Sequence, residues 1–404
     1  MISTNKAKVI LKTTALLLIF IVSTEAKFFQ TNPKGSRWKE CDQIIQGDYS
    51  KDTLHSLAPR RRITITRLRE CSELTNALKD NEWVSEEERR FPIAYAIAAY
   101  QNPYQLINLL RLIYRPHNLY CIHIDGKTPQ YMETRMQHVL KCLPSNVFQI
   151  PKAERVNVTW GQYSVLEAFL LCAKALYENQ QVNWTFLLNV NEKELPLRTN
   201  WELVKVFRAL NGSNLVHGVK QKVHERIPLT KMPFDVKWIK GTFLVGLQRP
   251  FVQYLLTDYR PRAILEAMKS ESQMTKIPDE MLFATLIYNP HLGAPGACDL
   301  VVNYSRSDPT TWVLSRYVIW DAKRCATRHL RNEVCMLGRA DLPTLFTTPH
   351  LFANKFLTCV QPEAYQCLSY WILRKMEGER VTGHTDPSFD PSLFGNIYCS
   401  QMHQ

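Results

Sequence analysis

The stretch FPIAYAIAAYQNPYQLINLLRLIYRPHNLYCIHID, Phe91–Asp125, decides the fold class. Ile93–Tyr100 (IAYAIAAY) is a nearly unbroken apolar run, the pattern of a strand buried on both faces rather than on one. Gln105–Tyr114 (QLINLLRLIY) has apolar residues at helical spacing, and Leu119–Ile124 (LYCIHI) is a second buried strand. Strand, helix and strand in succession argue for a mostly parallel sheet with helices on both faces. Ligands of such sheets sit beyond the carboxyl ends of the strands, and Asp125 stands at one such end.

Downstream the alternation continues. A helix is expected over 130–143, a short strand over 147–150, a helix over 164–179 and a strand over 185–190. Beyond Val216 the periodicity blurs. After Lys375 the tail MEGERVTGHTDPSFDPSLFGNIYCS is rich in Gly, Pro and Ser, so residues 376–404 are expected to be loosely ordered. Upstream, residues 27–90 are irregular and charged and read as a stem leading into a catalytic domain over 91–375. The basic groups Arg60-Arg61-Arg62 and Arg67-Leu68-Arg69 read as a solvated face. No zinc-finger, RRM or helix-turn-helix pattern accompanies them, so no nucleic-acid partner is expected.

The 404 residues suit one large α/β unit or two smaller ones, and 45% hydrophobic with 22% charged residues excludes disorder and collagen-like repeats. Fifty Lys and Arg against 37 Asp and Glu give +13, compatible with phosphorylated ligands, a membrane surface or nucleic acid and selecting none of them. Eleven cysteines point to the secretory pathway, and an odd number leaves at least one unpaired. Lys6, Lys8 and Lys12 flank an apolar core from Ala15 to Val22, an ER-targeting pattern. The stretch is shorter than the roughly 20 residues of a full span. Residues 9–26 therefore read either as a cleavable signal peptide or as a short type II signal anchor with 1–8 as its cytoplasmic tail. Sequons at Asn157, Asn183, Asn211 and Asn303 are compatible with a lumenal chain.

Few residues announce chemistry. In Ile277-Pro278-Asp279-Glu280-Met281 the proline marks a helix start, with Asp279 and Glu280 in the first turn. Two readings fit: ordinary first-turn acids favoured by the helix dipole, or a carboxylate held ionised beside a cleft as a general base. No Asp-x-Asp is present to grip a diphosphate through a metal. Glu192-Lys193-Glu194 is the nearest substitute and reads better as a charged turn. No His/Cys cluster has zinc spacing, and the P-loop, Gly-x-Gly-x-x-Gly and Gly-x-Ser-x-Gly patterns are absent. A metal-free site would have to neutralise phosphate with cations such as Arg331 and Lys355.

Taken in order, Phe91–Asp125, NVF (146–148), WGQYSVLEAFLLCAKALY (160–177), LPLRTNWELV (195–204), KGTFLVGLQR (240–249), IPDEMLFATL (277–286) and HLFANKF (350–356) resemble the core 2/I-branching β-1,6-N-acetylglucosaminyltransferases, glycosyltransferase family 14. ECDQIIQGD (40–48) and QCL (366–368) fit as well. The resemblance implies a GT-A-like α/β fold with a disulfide-linked stem, and an inverting, metal-free transfer from a UDP-sugar, GlcNAc or glucose, to an O-glycan core acceptor. It implies a Golgi type II protein with a lumenal catalytic domain. The general base would be Glu280. Asp125 and Ala98 would lie in the nucleotide site, with Lys355 and Arg331 on the diphosphate, although one residue more than the family pattern separates Arg331 from Cys335. Trp320 and Arg226 would meet the acceptor. The implied disulfides are Cys41–Cys367, Cys71–Cys142, Cys121–Cys172 and Cys325–Cys335. Cys298, Cys359 and Cys399 have no family counterpart; one further pair and one thiol, free to join two copies in a homo-oligomer, would account for them.

The chain also departs from the family. The acceptor-gripping Glu after Asn-Leu is Val216 here, the Trp-x-Tyr pair is Trp320-Asp321-Ala322, and the Cys-Gly-Met-Asp-Phe-Pro turn is Asn191-Glu192-Lys193-Glu194-Leu195-Pro196. These changes fall on acceptor machinery and leave open two alternatives: a catalytically silent glycan-binding relative, and a metal-using transferase relying on Glu192 and Glu194.

Overall fold

The computed structural model describes residues 39–56, 75, 78, 82–220, 224–274 and 276–403. The expected anchor at 9–26, much of the stem and Cys71 lie outside the described residues.

The alternating strands and helices assemble a five-stranded sheet in the order β3-β2-β1-β4-β8. Its strands are β1 (Ile93–Ala99), β2 (Leu119–Ile124), β3 (Val147–Gln149), β4 (Phe186–Asn191) and β8 (Gly246–Gln248). The first four run parallel, and β8 closes one edge antiparallel to β4. Helices cover both faces, and β1 shows why its sequence carries no polar alternation: each side of it meets a different core. Ala94 and Ala96 face one core with Leu166, Phe169 and Cys172 of α4 (Ser164–Glu178), Phe251 of α6 (Arg249–Thr257) and Phe283 of α8 (Asp279–Ile287). Ile93, Tyr95 and Ile97 face the other, with Leu106 and Leu110 of α2 (Pro103–Ile113), Met136 of α3 (Gln130–Leu140) and Val204 of α5 (Asn200–Ala209). Asn102 starts α2 by accepting the amide of Gln105 at 3.1 Å, with Pro103 in the first turn.

A smaller sheet lies beyond the carboxyl end of the first. In it β12 (Phe352–Asn354) pairs antiparallel with β5 (Glu194–Pro196) and parallel with β9 (Arg316–Val318). Two ribbons accompany it: β6 with β7 (Gly218–Val219 and Lys240–Gly241), and the hairpin β10–β11 (Leu330–Arg331 and Val334–Cys335). The third core packs here, where Ile44 of α1 (Lys39–Ile45) joins Leu195, Leu337 and Phe356 with Tyr365 and Ile372 of α9 (Pro362–Thr382).

Disulfides staple these layers. Cys41–Cys367 ties α1 to α9, Cys121–Cys172 ties β2 to α4, and Cys325–Cys335 closes the loop into the hairpin. Cys142 is also disulfide-bonded, its expected partner Cys71 lying outside the described residues. Of the three cysteines without family counterparts, Cys298 bonds Cys399, and Cys359 is free and exposed.

One expectation is overturned. The tail after Lys375 is not loose: Lys375 lies inside α9, and short helices at Ser392–Gly395 and Tyr398–Gln401 follow it. Phe394 is buried in the core beside β1, Cys399 is disulfide-bonded to Cys298, and Ser213 and Ser400 share a buried hydrogen bond of 3.1 Å. The tail's Gly and Pro residues punctuate packed turns.

Candidate active site

The chain runs outward from β1 through β2 to β3, then returns to the other side of β1 as β4. The crevice at the carboxyl ends of β1 and β4 is therefore the switch point at which open α/β sheets bind ligands. Ala98 lies there, exposed within an otherwise buried β1, in register with His123 of β2 and Asn191 of β4. Asp125 follows β2, its amide bonded to the carbonyl of Ala99 at 2.9 Å. Its buried carboxylate accepts the amides of Lys127 (3.0 Å) and Val158 (3.3 Å) and pairs with Lys127 Nζ at 2.5 Å. Burial pushes the neighbouring His123 down to about 4, so it is neutral, and its Nε2 accepts the amide of Val156 at 3.2 Å.

The segment 156–161 forms a strap along this side of the crevice. The amide of Gly126 donates to Val156 O at 2.9 Å, and the close approach requires glycine: a Cβ at 126 would fall 2.6 Å from the Asn157 side-chain oxygen. Lys127 Nζ also donates to the carbonyl of Val158. At the far end of the strap, Gly161 O accepts the amide of Ile277 at 2.7 Å. Ile277 has φ 55, a left-handed conformation unusual for a β-branched residue, immediately before the Pro-Asp-Glu sequence.

Glu280 and Arg226, matched separately in the sequence, are brought together. Arg226 Nη1 donates to Glu280 Oε2, and Lys240 Nζ stands 3.5 Å from the same oxygen. The Glu280 side chain keeps 20% of its surface exposed, so this ion group opens to solvent. Pro278 occupies the N-cap rather than the first helical position, and Asp279 and Glu280 open the helix. The two acids differ sharply. Asp279 is buried, its Oδ1 has no partner among the described residues, and burial, reinforced by Glu280, pushes it up to about 7.

Glu192-Lys193 is a turn after β4, as expected, but the carboxylates of Glu192 and Glu194 are both buried. Glu192 accepts the amides of Tyr100 (2.9 Å), Gln101 (3.1 Å) and Asn102 (3.4 Å); burial raises it and these bonds offset part of the rise. Glu194 accepts Arg316 Nε at 3.0 Å, Asn354 Nδ2 at 2.5 Å and the Asn191 amide at 3.2 Å, with both charged side chains fully buried. Each carboxylate is thus committed to protein donors. Among the described residues, no group of three or more His, Cys, Asp or Glu could hold a metal ion.

Register then gathers three cations. Asn354 of β12 pairs with Glu194 of β5, and the amide of Phe356 donates to Lys193 O at 2.8 Å, which sets Lys355 beside Lys193. The amide of Leu337 donates to Lys355 O at 2.9 Å, bringing in the hairpin that carries Arg331. Between Arg331 and Val334 the hairpin turns through Asn332 and Glu333, both with left-handed φ. Burial pushes Lys355 down to about 8, with further contributions from the charges of Lys193 and Arg331. Burial lowers Lys193 as well; Glu192 opposes that shift and Arg331 adds to it. Trp320, 56% exposed, follows Ile319, whose carbonyl accepts the Cys335 amide at 3.0 Å, and so borders the same hairpin. Lys193 escaped the sequence reading; its one signal is its position just past the carboxyl end of a central strand. The sequon residues Asn157, Asn183, Asn211 and Asn303 are all exposed.

A mostly parallel sheet covered on both faces, with disulfides tying its layers, is the GT-A-like fold of sugar transferases. Residues 93–346 match the family model of the Core-2/I-Branching enzyme, and the chain belongs to that family of glycosyltransferases. It is 30% identical over 396 residues to a bovine (Bos taurus) beta-1,3-galactosyl-O-glycosyl-glycoprotein beta-1,6-N-acetylglucosaminyltransferase, covering 88% of this chain and 89% of that protein. It is 31% identical over 315 residues to the mouse (Mus musculus) form 4 of that transferase (71% and 66% covered) and 29% identical over 321 residues to the human (Homo sapiens) form 3 (72% and 70%). Membership implies a nucleotide-sugar donor and a glycan acceptor.

Proposed function

We propose that this chain transfers GlcNAc or glucose from a UDP-sugar to a 6-hydroxyl of an O-glycan core, as a β-1,6-branching, inverting enzyme that uses no metal. The gathering of Lys355 and Arg331 at the carboxyl end of the sheet carries this reading, because fixed cations there can take over the charge of a departing diphosphate. Asp125 and Ala98 border the nucleotide, and Arg226 and Trp320 meet the acceptor. In the reaction the acceptor hydroxyl gives its proton to Glu280 as its oxygen bonds the anomeric carbon; the bond from that carbon to the phosphate oxygen breaks, and UDP leaves with the electron pair. The altered residues Val216 and Ala322 lie on the acceptor side of the family pattern, so the acceptor differs more than the donor. Targeting residues, cysteines and exposed sequons favour a Golgi lumenal location with the N-terminal segment as anchor.

The test is a screen of UDP-GlcNAc and UDP-glucose against core 1 and linear glycan acceptors in EDTA. Chelator-resistant transfer giving a β-1,6 linkage is expected. Transfer that appears only after Mn²⁺ is restored would overturn the metal-free reading, and a linkage other than β-1,6 would overturn the branching assignment.

A further inference from the structure

We infer that Lys193 is a third cation of the donor diphosphate site, added by this chain where the branching family carries the methionine of its Cys-Gly-Met-Asp-Phe-Pro turn. The inference deepens the function proposed above and rests on its placement of the donor.

Three observations carry it. Lys193 and Lys355 are neighbours across the β5–β12 register, and Arg331 is close enough to act on the charge of both. Among the described residues none of the three forms an ion pair, and the acids flanking Lys193 are already committed: Glu192 to three amides, Glu194 to Arg316 and Asn354. Lys193 and Lys355 are half-buried while Arg331 is exposed, and two half-buried like charges without a counterion are costly to hold, a cost relieved when an anion enters. Lastly, Lys193 is not on a free loop. Its amide bonds Asn191 Oδ1 at 3.0 Å, its carbonyl takes the Phe356 amide, and the carboxylates on either side are anchored, so its backbone is held in place before any ligand arrives. Three cations match the roughly three negative charges of a nucleoside diphosphate leaving group, an arrangement whose attraction strengthens as the bond breaks.

Calorimetric titration of the full-length chain with UDP, UMP and uridine tests the assignment. Lys193→Met, the family's own residue, is expected to weaken UDP about tenfold, the worth of one charge-assisted contact. Uridine affinity should be unchanged, the UDP loss should shrink at high salt, and Lys193→Arg should restore most of the affinity. Equal melting temperatures would show that the variants are folded. If Lys193→Met and Lys193→Ala both bind UDP as tightly as wild type while Lys355→Ala loses affinity, the role of Lys193 is overturned and the donor site stands. If wild type binds UDP no better than uridine and Lys355→Ala changes nothing, the donor-site reading itself fails.

Discussion

The amide of Ile277 donates to the carbonyl of Gly161 at 2.7 Å, so the strap whose Val158 amide bonds Asp125 also sets the start of the helix bearing Glu280. One short segment therefore links Asp125, at the carboxyl end of β2, to the start of the helix bearing Glu280, the two residues proposed above for the nucleotide and for the acceptor proton.

Glu280→Gln removes the proton acceptor and keeps the side chain's size. Turnover is expected to fall about 10²- to 10⁴-fold, the usual contribution of a general base. The UDP dissociation constant should stay near that of wild type. Full turnover in Glu280→Gln would show that the acid merely holds Arg226 and Lys240.

The depressed Lys355 makes donor binding sensitive to alkali. A lysine held at about 8 gives up its proton as pH rises through that value, so UDP affinity should be level to about pH 7 and drop about tenfold by pH 9.5. In Lys355→Arg the guanidinium stays charged and most of the slope should vanish. The unliganded protein should behave oppositely. Between about pH 8 and 10.5 the unfolded chain holds the extra proton, so stability rises across that window.

Asp279 supplies a second pH signature, in stability rather than binding. Burial keeps its proton on up to about pH 7 in the folded state, against 3.8 for a free, solvated aspartate, so folding stability declines as pH rises between those values. The groups acting on it are Glu280, which raises it further, and Arg226, which lowers it. Asp279→Asn should melt with wild type at pH 4 and several degrees above it at pH 8. Melting curves at the two pH values check this, and a constant difference would refute it.

The buried pair Arg316–Glu194 underlies the cation group without belonging to it. Arg316→Met strands a fully buried carboxylate and should cost about 3–5 kcal/mol in denaturant titration. The double variant with Glu194→Gln should recover part of that loss. If the single and double variants are equally destabilised, the damage is packing around the guanidinium rather than the orphaned charge.

The sequence was most legible where physics is local. Leu119–Ile124 and Ile93–Ala99 are strands buried on both faces and read directly as apolar runs. Beyond Val216 the strands shorten to two or three residues, as in β6, β7 and β12, too few for a period to show. The burial of Glu194 depends on Arg316, 122 positions away, and the order of the tail on a bond from Cys399 back to Cys298. Nothing near these residues in the chain announces their partners. The same limit hid Lys193, whose meaning comes from a strand more than 150 residues later. Family motifs supplied Glu280 and Arg226 individually, but only folding put one against the other.

The bond between Cys41 and Cys367 has a consequence for proteolytic processing. A single nick anywhere between these cysteines leaves both pieces joined as one particle until reductant is added, visible as a band that splits only on a reducing gel. Separating residues N-terminal to Cys41 from the rest of the chain without reductant requires a cut upstream of Cys41.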